Sequence, residues 1–217
     1  MFSAVMGAGI VGRAVERGLL QWGCVNPRDF AEDKHRKVAD RPFGGGAGMV
    51  LMAEPLAKAI KSVKKKGAKV VYLSPQGARF NDKAAKRLSA LPRLVLVCGR
   101  YEGVDERVMS FFDEELSIGD YVLSGGELPA MVVADAVTRL LPGVLKKADA
   151  AANESFSTGV LDYPQYTRPR VWKRKAVPNV LFSGDHKAIA RWRKQAASAA
   201  TRRKRPDLLD TLTKGAQ

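Results

Sequence analysis

Two short runs of consecutive apolar residues stand out in a chain whose apolar positions otherwise recur at helical spacing. The runs cover residues 68–74 and 93–99, and their length and composition predict buried strands. Residues 116–127 predict a further strand and turn, or an extended loop. Helices are predicted over residues 12–20, 53–64, 82–90, 105–113 and 128–143. Strands that alternate with helices predict an α/β fold with a parallel sheet covered on both faces.

The last quarter of the chain has a different pattern. Residues 146–160 are rich in Ala, Ser and Asn and predict a linker, followed by a basic helix over 186–204 and a short one over 206–213. The net charge is +15, and residues 163–217 hold 14 of the 37 basic residues but only three of the 22 acidic ones. A concentration of positive charge of this kind is typical of a surface that binds a polyanion.

Residues suited to metal binding or to disulfides are few. Cys24 and Cys98 are far apart, and the chain has only two histidines, so we predict no metal site. Without a disulfide framework, a reducing compartment is expected. The first residues lack the pattern of a secretory signal, and the apolar runs are too short to span a membrane. A cytoplasmic protein with no membrane partner is therefore expected.

Glycine is concentrated in three segments, at residues 44–48, 98–103 and 118–127. None of them matches a P-loop or a dinucleotide-binding fingerprint. Residues 73–77 and 98–103 follow the two predicted strands, and ligands of open parallel sheets bind at the carboxyl ends of strands. We therefore predict a small-molecule pocket built mainly from backbone groups. A cofactor that contains adenine would suit such a pocket, with Tyr101 or Tyr121 packing against it.

Several of these segments also occur in a known family. The sequence resembles bacterial tRNA (guanine-N(1)-)-methyltransferases of the TrmD family, and the matching segments follow the family's order along nearly the whole chain. CGRYEG together with IGDYVLSGGELPA is the most specific of the matches. The matching segments are VGRAVERGLL (11–20), HRKVADRPFGGGAGMVLM (35–52), VVYLSPQG (70–77), LVCGRYEGVDERV (96–108), SIGDYVLSGGELPAMVVADAVTRLLPGVL (117–145), LDYPQYTRP (161–169) and FSGDHKAIARWR (182–193).

The resemblance implies an enzyme of the SPOUT class, an α/β sheet whose C-terminal part forms a trefoil knot and binds S-adenosylmethionine. It implies a homodimer that methylates nitrogen 1 of the guanosine immediately 3′ of a tRNA anticodon (position 37). Whether Mg²⁺ assists is left open. The implied organisation is a catalytic domain over residues 1–145, a linker over 146–162 and a small, basic helical tRNA-binding domain over 163–217.

The resemblance also implies the residues of the cofactor pocket, which come from three loops. The first loop supplies Tyr72, Leu73 and Ser74. The second supplies Gly99, Tyr101 and Glu102. The third supplies Ile118, Gly119, Asp120, Tyr121, Val122, Leu123, Gly125, Gly126 and Pro129.

Methylation of guanine nitrogen 1 needs a base, because this nitrogen carries a proton that leaves as the methyl group arrives. An arginine near guanine O6 would stabilise the negative charge that develops there. By resemblance these roles fall to Arg139 and to a carboxylate, which is Glu154 here where the family has aspartate. Asp162 is the second candidate for the base. For phosphate contacts the resemblance and the charge favour Arg168, Arg170, Lys173, Arg191, Arg193 and Arg202.

Two departures from the family keep an alternative open. Besides the glutamate at 154, the sequence begins about a dozen residues later than family members do. A tRNA-binding protein with impaired catalysis is therefore the alternative to an active enzyme. A SPOUT methyltransferase with another RNA target is a further alternative, against which the segments 44–48 and 161–169 argue.

Overall fold

The computed structural model describes residues 1–146 and 154–209, and short strands and helices alternate along them. The strands are β1 (Ala39–Asp40), β2 (Val50–Leu51), β3 (Ala68–Arg79), β4 (Arg93–Cys98), β5 (Glu114–Ser117), β6 (Val171–Trp172) and β7 (Lys175–Ala176). The α-helices with described bounds are α1 (Phe2–Met6), α2 (Gly9–Glu16), α3 (Ala53–Val63), α4 (Asp82–Ser89), α5 (Glu127–Thr138) and α6 (His186–Lys204).

A three-stranded parallel sheet in the order β4-β3-β5 forms the centre of the first part of the chain. Pairing of β3 with β4 runs from Ala68 opposite Arg93 to Leu73 opposite Cys98. On its other side β3 pairs with β5 from Val71 opposite Glu114 onward. The α/β architecture with a parallel sheet, predicted from the two apolar runs, is thereby confirmed.

Both faces of the sheet are covered, and successive side chains of β3 alternate between the two faces. Val70 and Tyr72 pack on one face, and Val71 and Leu73 pack on the other. The first face is covered by α3 and the 3₁₀ helix Glu106–Phe111, whose Leu56, Ile60 and Val108 pack with Val97 of β4. The second face is covered by α4 and α5, whose Leu88, Ala130 and Val133 pack with Leu116 of β5.

The central strand is longer than the sequence predicts. Residues 75–77, Pro-Gln-Gly, were expected to end it, but pairing resumes after them, and Leu116 of β5 is opposite both Leu73 and Ala78. Residues 74–77 therefore form a bulge within β3. Gly77 makes the bulge possible, because a Cβ atom at this position would lie 2.4 Å from the backbone nitrogen of Leu116.

Several helices differ from their predicted bounds for local reasons. Helix α2 ends at Glu16 rather than at residue 20, because Gly18 has φ +69° and terminates it. Within the predicted helix 105–113, only Glu106–Phe111 is helical, and it is a 3₁₀ helix that the Asp105 side chain caps by accepting the backbone N–H of Arg107. Helix α5 ends at Thr138, where the following turns make hydrogen bonds of the 3₁₀ type.

The chain divides into two compact units, Met1–Lys146 and Lys147–Gln217. In the second unit, β6 and β7 form an antiparallel hairpin, and α6 has the bounds predicted for the basic helix. Asp185 caps α6 by accepting two backbone N–H groups. Of the predicted linker, residues 147–153 lie outside the described residues. Of the predicted final helix, 207–209 are helical and 210–213 lie outside the described residues.

Candidate functional site

The first two predicted loops meet where β3 reaches its bulge and β4 ends. Tyr72 is buried within β3, just before the bulge, and its ring stacks on Phe112 with centroids 4.9 Å apart. Gly99 follows β4, and a Cβ atom there would lie 2.8 Å from the Tyr72 hydroxyl oxygen. Burial, together with the charge of Glu115, raises the pKa of Tyr72. The Tyr72 hydroxyl therefore stays protonated and lies against the backbone of the second loop.

The second and third loops are joined by backbone contacts. The Gly126 N–H donates to the Gly99 carbonyl at 2.8 Å, and Arg100 and Gly125 form an isolated antiparallel bridge. A Cβ atom on Gly126 would lie 2.7 Å from the Cys98 Cα, so only glycine fits between the loops. All three loops predicted to bind the cofactor therefore reach one edge of the sheet.

An ion pair reinforces this junction. The Arg100 Nε donates to the Glu127 Oε1 at 2.8 Å, linking the second loop to the first turn of α5. A Cβ atom on Gly125 would lie 2.5 Å from the other carboxylate oxygen of Glu127. This pair could not be predicted from the sequence, because neither residue type nor spacing indicates that a loop arginine and a helix glutamate 27 positions apart will meet.

The third loop begins with a tight turn that Ser117 holds. The Ser117 hydroxyl oxygen accepts the Gly119 N–H at 3.2 Å and lies 3.0 Å from the Gly119 carbonyl oxygen, to which it donates. Asp120 pairs with Arg79 at the end of β3. The remaining predicted residues of this loop are Ile118, which packs on the core, Val122 and Leu123, which are exposed, and Pro129 in the first turn of α5.

Tyr101 and Tyr121 both present aromatic surface to solvent, at 52% and 54% exposure. Tyr101 adopts φ +59°, a conformation that costs energy in a residue other than glycine. Exposed rings close to backbone polar groups are the combination expected of an adenine-binding surface.

The glycine-rich segment 44–48 lies beside the second loop. The Glu102 N–H donates to the Met49 carbonyl at 3.0 Å, and a Cβ atom on Gly48 would lie 2.4 Å from Glu102 Oε1. A cavity of about 360 Å³ opens next to this contact. Its lining includes three basic side chains and one aromatic ring, those of Arg28, Lys37, Arg41 and Tyr101.

The three catalytic candidates fall in different units. Arg139 is half-buried and directly follows the last residue of α5 in the first unit. Asp162 lies in the second unit, where its carboxylate accepts the Tyr163 N–H at 2.7 Å and the Gln165 amide at 3.1 Å. Glu154, also in the second unit, begins a turn in which its carbonyl oxygen accepts the Ser157 hydroxyl at 2.7 Å. Their combination into one catalytic site stays a prediction.

All six residues predicted to contact tRNA phosphates are exposed in the second unit. Three of them lie over aromatic rings. The guanidinium of Arg170 lies 4.0 Å from the ring centroid of Phe182. Lys173 lies over Trp172 and Arg193 lies over Tyr163, each at 4.9 Å. Such contacts hold a cation in place without neutralising it.

The described residues contain neither a metal-binding cluster nor a membrane-spanning helix. Residues 1–146 and 154–209 hold no group of three or more His, Cys, Asp or Glu side chains placed to bind a metal ion. Within the same residues, no helix has the length and apolar character needed to cross a membrane.

The parallel sheet, covered by helices, and the glycine loops joined beside it define an α/β protein. Residues 1–211 match the family model described as tRNA (Guanine-1)-methyltransferase TrmD. The chain belongs to this family, and the resemblance stated from its motifs is confirmed.

Curated relatives are similar in sequence along nearly the whole chain. A tRNA (guanine-N(1)-)-methyltransferase of Pseudoalteromonas translucida is 54% identical over 216 residues, which cover 98% of this chain and 85% of the relative. The protein of the same name from Halorhodospira halophila is 54% identical over 213 residues, covering 96% and 81%. That of Dictyoglomus turgidum is 53% identical over 210 residues, covering 97% and 86%.

Proposed function

We propose that the protein transfers a methyl group from S-adenosylmethionine to nitrogen 1 of the guanosine immediately 3′ of the anticodon in tRNA. The observation that carries this proposal is the meeting of the three predicted cofactor loops, at Tyr72, Gly99 and Gly126, in a chain of the TrmD family. The relatives are named as methyltransferases, so the comparisons favour an active enzyme over the impaired tRNA-binding protein.

The residues at the strand ends fit the proposed cofactor. Gly99, Gly125 and Gly126 let the second and third loops pack closely against each other. A ligand at this edge would therefore meet mainly the backbone of the two loops, which suits the edge of an adenine ring. Tyr101 and Tyr121 offer aromatic faces. When bound, S-adenosylmethionine supplies an electrophilic methyl group on its sulfonium sulfur.

Removal of the guanine proton is the task of the chain's own carboxylates. Glu154 is our first candidate for the base, and Asp162 is the second. The two hydrogen bonds already accepted by the Asp162 carboxylate, from Tyr163 and Gln165, favour a role for Asp162 in holding the local backbone. Arg139 would donate to guanine O6 and stabilise the charge that develops as the proton leaves.

We further propose the quaternary structure and the knot that family membership implies. Helix α5 supports the homodimer, because Leu128 and Val132 are each 47% exposed on this largely apolar helix. The trefoil knot of the SPOUT class over the third loop and α5 rests on the family alone. Size-exclusion chromatography with light scattering tests the dimer: a protein that stays monomeric at micromolar concentration would contradict it.

The domain roles are also proposals. Residues 1–145 would form the catalytic domain, 146–162 the linker, and 163–217 the tRNA-binding domain. The concentration of 14 Lys and Arg residues in 163–217 supports the last of these. A cytoplasmic location agrees with a tRNA substrate and with two free cysteines.

Methyl transfer from labelled S-adenosylmethionine tests the function. Two tRNA transcripts that differ only in carrying guanosine or adenosine immediately 3′ of the anticodon serve as substrate and control. The proposal expects label in the first transcript only. Equal labelling of both would point to another target base, and cofactor binding without any transfer would support the impaired alternative.

A further inference from the structure

The hairpin of β6 and β7 in the second unit places an aromatic ring and three cations at one exposed tip. Val171 pairs with Ala176, and Trp172 pairs with Lys175, so Lys173 and Arg174 form a two-residue turn. The Val177 N–H donates to the Arg170 carbonyl at 2.9 Å, which continues the ladder at the base of the hairpin. Every residue from 171 to 176 is exposed.

The apolar part of this tip is unusually open to solvent. Trp172 is 60% exposed, and the ammonium nitrogen of Lys173 lies 4.9 Å from the centre of its ring. Cross-strand partners share a face, so Lys175 projects from the same face as Trp172. A large aromatic ring left in water next to cations is a feature that recognition of a flat, anionic ligand would explain.

The charge of the tip is not neutralised locally. Among the residues that the structure describes, Lys173, Arg174 and Lys175 form no ion pair with a carboxylate. At the base of the hairpin, a cleft of about 310 Å³ contains Arg170, whose guanidinium lies over Phe182. The hairpin therefore offers a polyanion cations both at its tip and at its base.

The turn has residues that stability alone would not select. Lys173 has φ +47° and Arg174 has φ +64°, whereas two-residue hairpin turns with two positive φ angles favour Asn-Gly. Both residues adopt a backbone conformation that costs energy, and neither side chain packs in a core. The positions therefore retain cations at some cost in stability, as expected of residues that contact a ligand.

We infer that the tip of the β6–β7 hairpin binds RNA, with Trp172 stacked on an unpaired base and Lys173 and Arg174 contacting the flanking phosphates. This inference rests on the proposed function in that it takes tRNA as the ligand. Stacking on an aromatic ring combined with cations along a backbone is the common mode of binding to unpaired nucleotides. Trp172 and Arg174 are thereby placed beside Lys173, which the sequence already indicated as a phosphate contact.

The double substitution K173N/R174G separates binding from folding. It removes both charges and installs the residues that the turn favours, so the hairpin should be retained or stabilised. We expect the Kd for a tRNA transcript to rise at least five-fold. The slope of log Kd against log salt concentration should fall by about 0.7 to 0.9 for each phosphate that the variant no longer neutralises. Fluorescence anisotropy at salt concentrations from about 50 to about 250 mM measures both, and the melting temperature reports on folding.

Substitution of Trp172 tests stacking separately. Trp172→Ala should weaken tRNA binding about five-fold or more with the salt slope unchanged, because stacking releases no counterions. Trp172→Phe keeps an aromatic face and should restore most of the affinity. Equal affinity of the alanine variant and the original protein would overturn the stacking contact.

The double substitution K65Q/K66Q is the matched control, since it removes two exposed charges in the first unit. It should change tRNA affinity less than two-fold. Affinity and salt slope of K173N/R174G equal to those of this control would overturn the inference while methyl transfer by the original protein stands. Failure of the original protein to bind or methylate tRNA would instead overturn the proposed function, and the hairpin inference with it.

Discussion

Gly126→Ala is the perturbation that most directly probes the junction of the second and third loops. The backbone of Gly126 has φ −77° and ψ −2°, which alanine adopts without strain, so the substitution acts through contact alone. The added Cβ would lie 2.7 Å from the Cys98 Cα and 2.9 Å from the Gly99 nitrogen, and both of these are backbone atoms that cannot rotate away.

The expected magnitude follows from these distances. Ordinary contact begins near 3.4 Å, so the loops must separate by about 0.7 Å. The hydrogen bond from the Gly126 N–H to the Gly99 carbonyl would lengthen from 2.8 Å to about 3.5 Å, beyond the normal range. Loss of this bond costs about 1 kcal/mol and overpacking about 1–3 kcal/mol, giving roughly 2–4 kcal/mol in all.

Urea unfolding and titration calorimetry with S-adenosylmethionine measure the two consequences. We expect a lower free energy of unfolding and cofactor binding weakened at least ten-fold, which corresponds to about 1.4 kcal/mol. Gly23→Ala is the matched control, because a Cβ atom there meets nothing within 4 Å. Wild-type stability and affinity in Gly126→Ala, or an equal loss in Gly23→Ala, would refute the reasoning.

Three further predictions concern catalysis and the cysteines. Arg139→Ala should lower kcat at least a hundred-fold with cofactor affinity nearly unchanged in calorimetry, since its proposed contact is with the guanine; equal losses would contradict that role. In single-turnover assays Glu154→Gln should abolish methyl transfer, and Glu154→Asp should retain it. An active Glu154→Gln variant together with an inactive Asp162→Asn variant would make Asp162 the base. Burial raises the pKa of the Cys98 thiol to about 12, so at pH 9 only about one molecule in 1,000 carries the thiolate. Iodoacetamide should therefore modify exposed Cys24 far faster than Cys98 in peptide mass spectra, and equal rates would contradict the burial.

The sequence predicted elements well where local pattern and long-range packing agree. The basic helix was expected over 186–204 and is His186–Lys204, because capping by Asp185 and a long run of helix-forming residues define it locally. The two apolar runs likewise became β3 and β4, since their burial on both faces of a parallel sheet requires such composition.

The prediction failed where pairing depends on distant residues. The extension of β3 past its bulge depends on the close approach of Gly77 to β5, some 40 residues away, and Pro-Gln-Gly alone indicates a turn. The two-residue strands β1, β2, β6 and β7 have too little pattern to predict, and the hairpin turn at Lys173 and Arg174 lacks the usual glycine.

The candidate site, too, was predictable from the sequence only in part. Its glycine loops were visible in the sequence, because glycine marks positions of close backbone approach. The individual contacts, such as Arg100 with Glu127 and Glu102 with Met49, arise only when the loops are brought together by the sheet. The roles of Arg139, Glu154 and Asp162 came from the family resemblance, since an arginine at a helix end and two carboxylates in turns are common features of any protein surface.

The identity of the methylated nucleoside tests the central claim most directly. A tRNA transcript incubated with the protein and S-adenosylmethionine would be digested to nucleosides and analysed by chromatography and mass spectrometry, with fragment mapping to locate the product. We predict 1-methylguanosine immediately 3′ of the anticodon and no other methylated nucleoside. A methyl group on another base or at another guanine position, or an unmodified transcript in the presence of bound cofactor, would contradict the account.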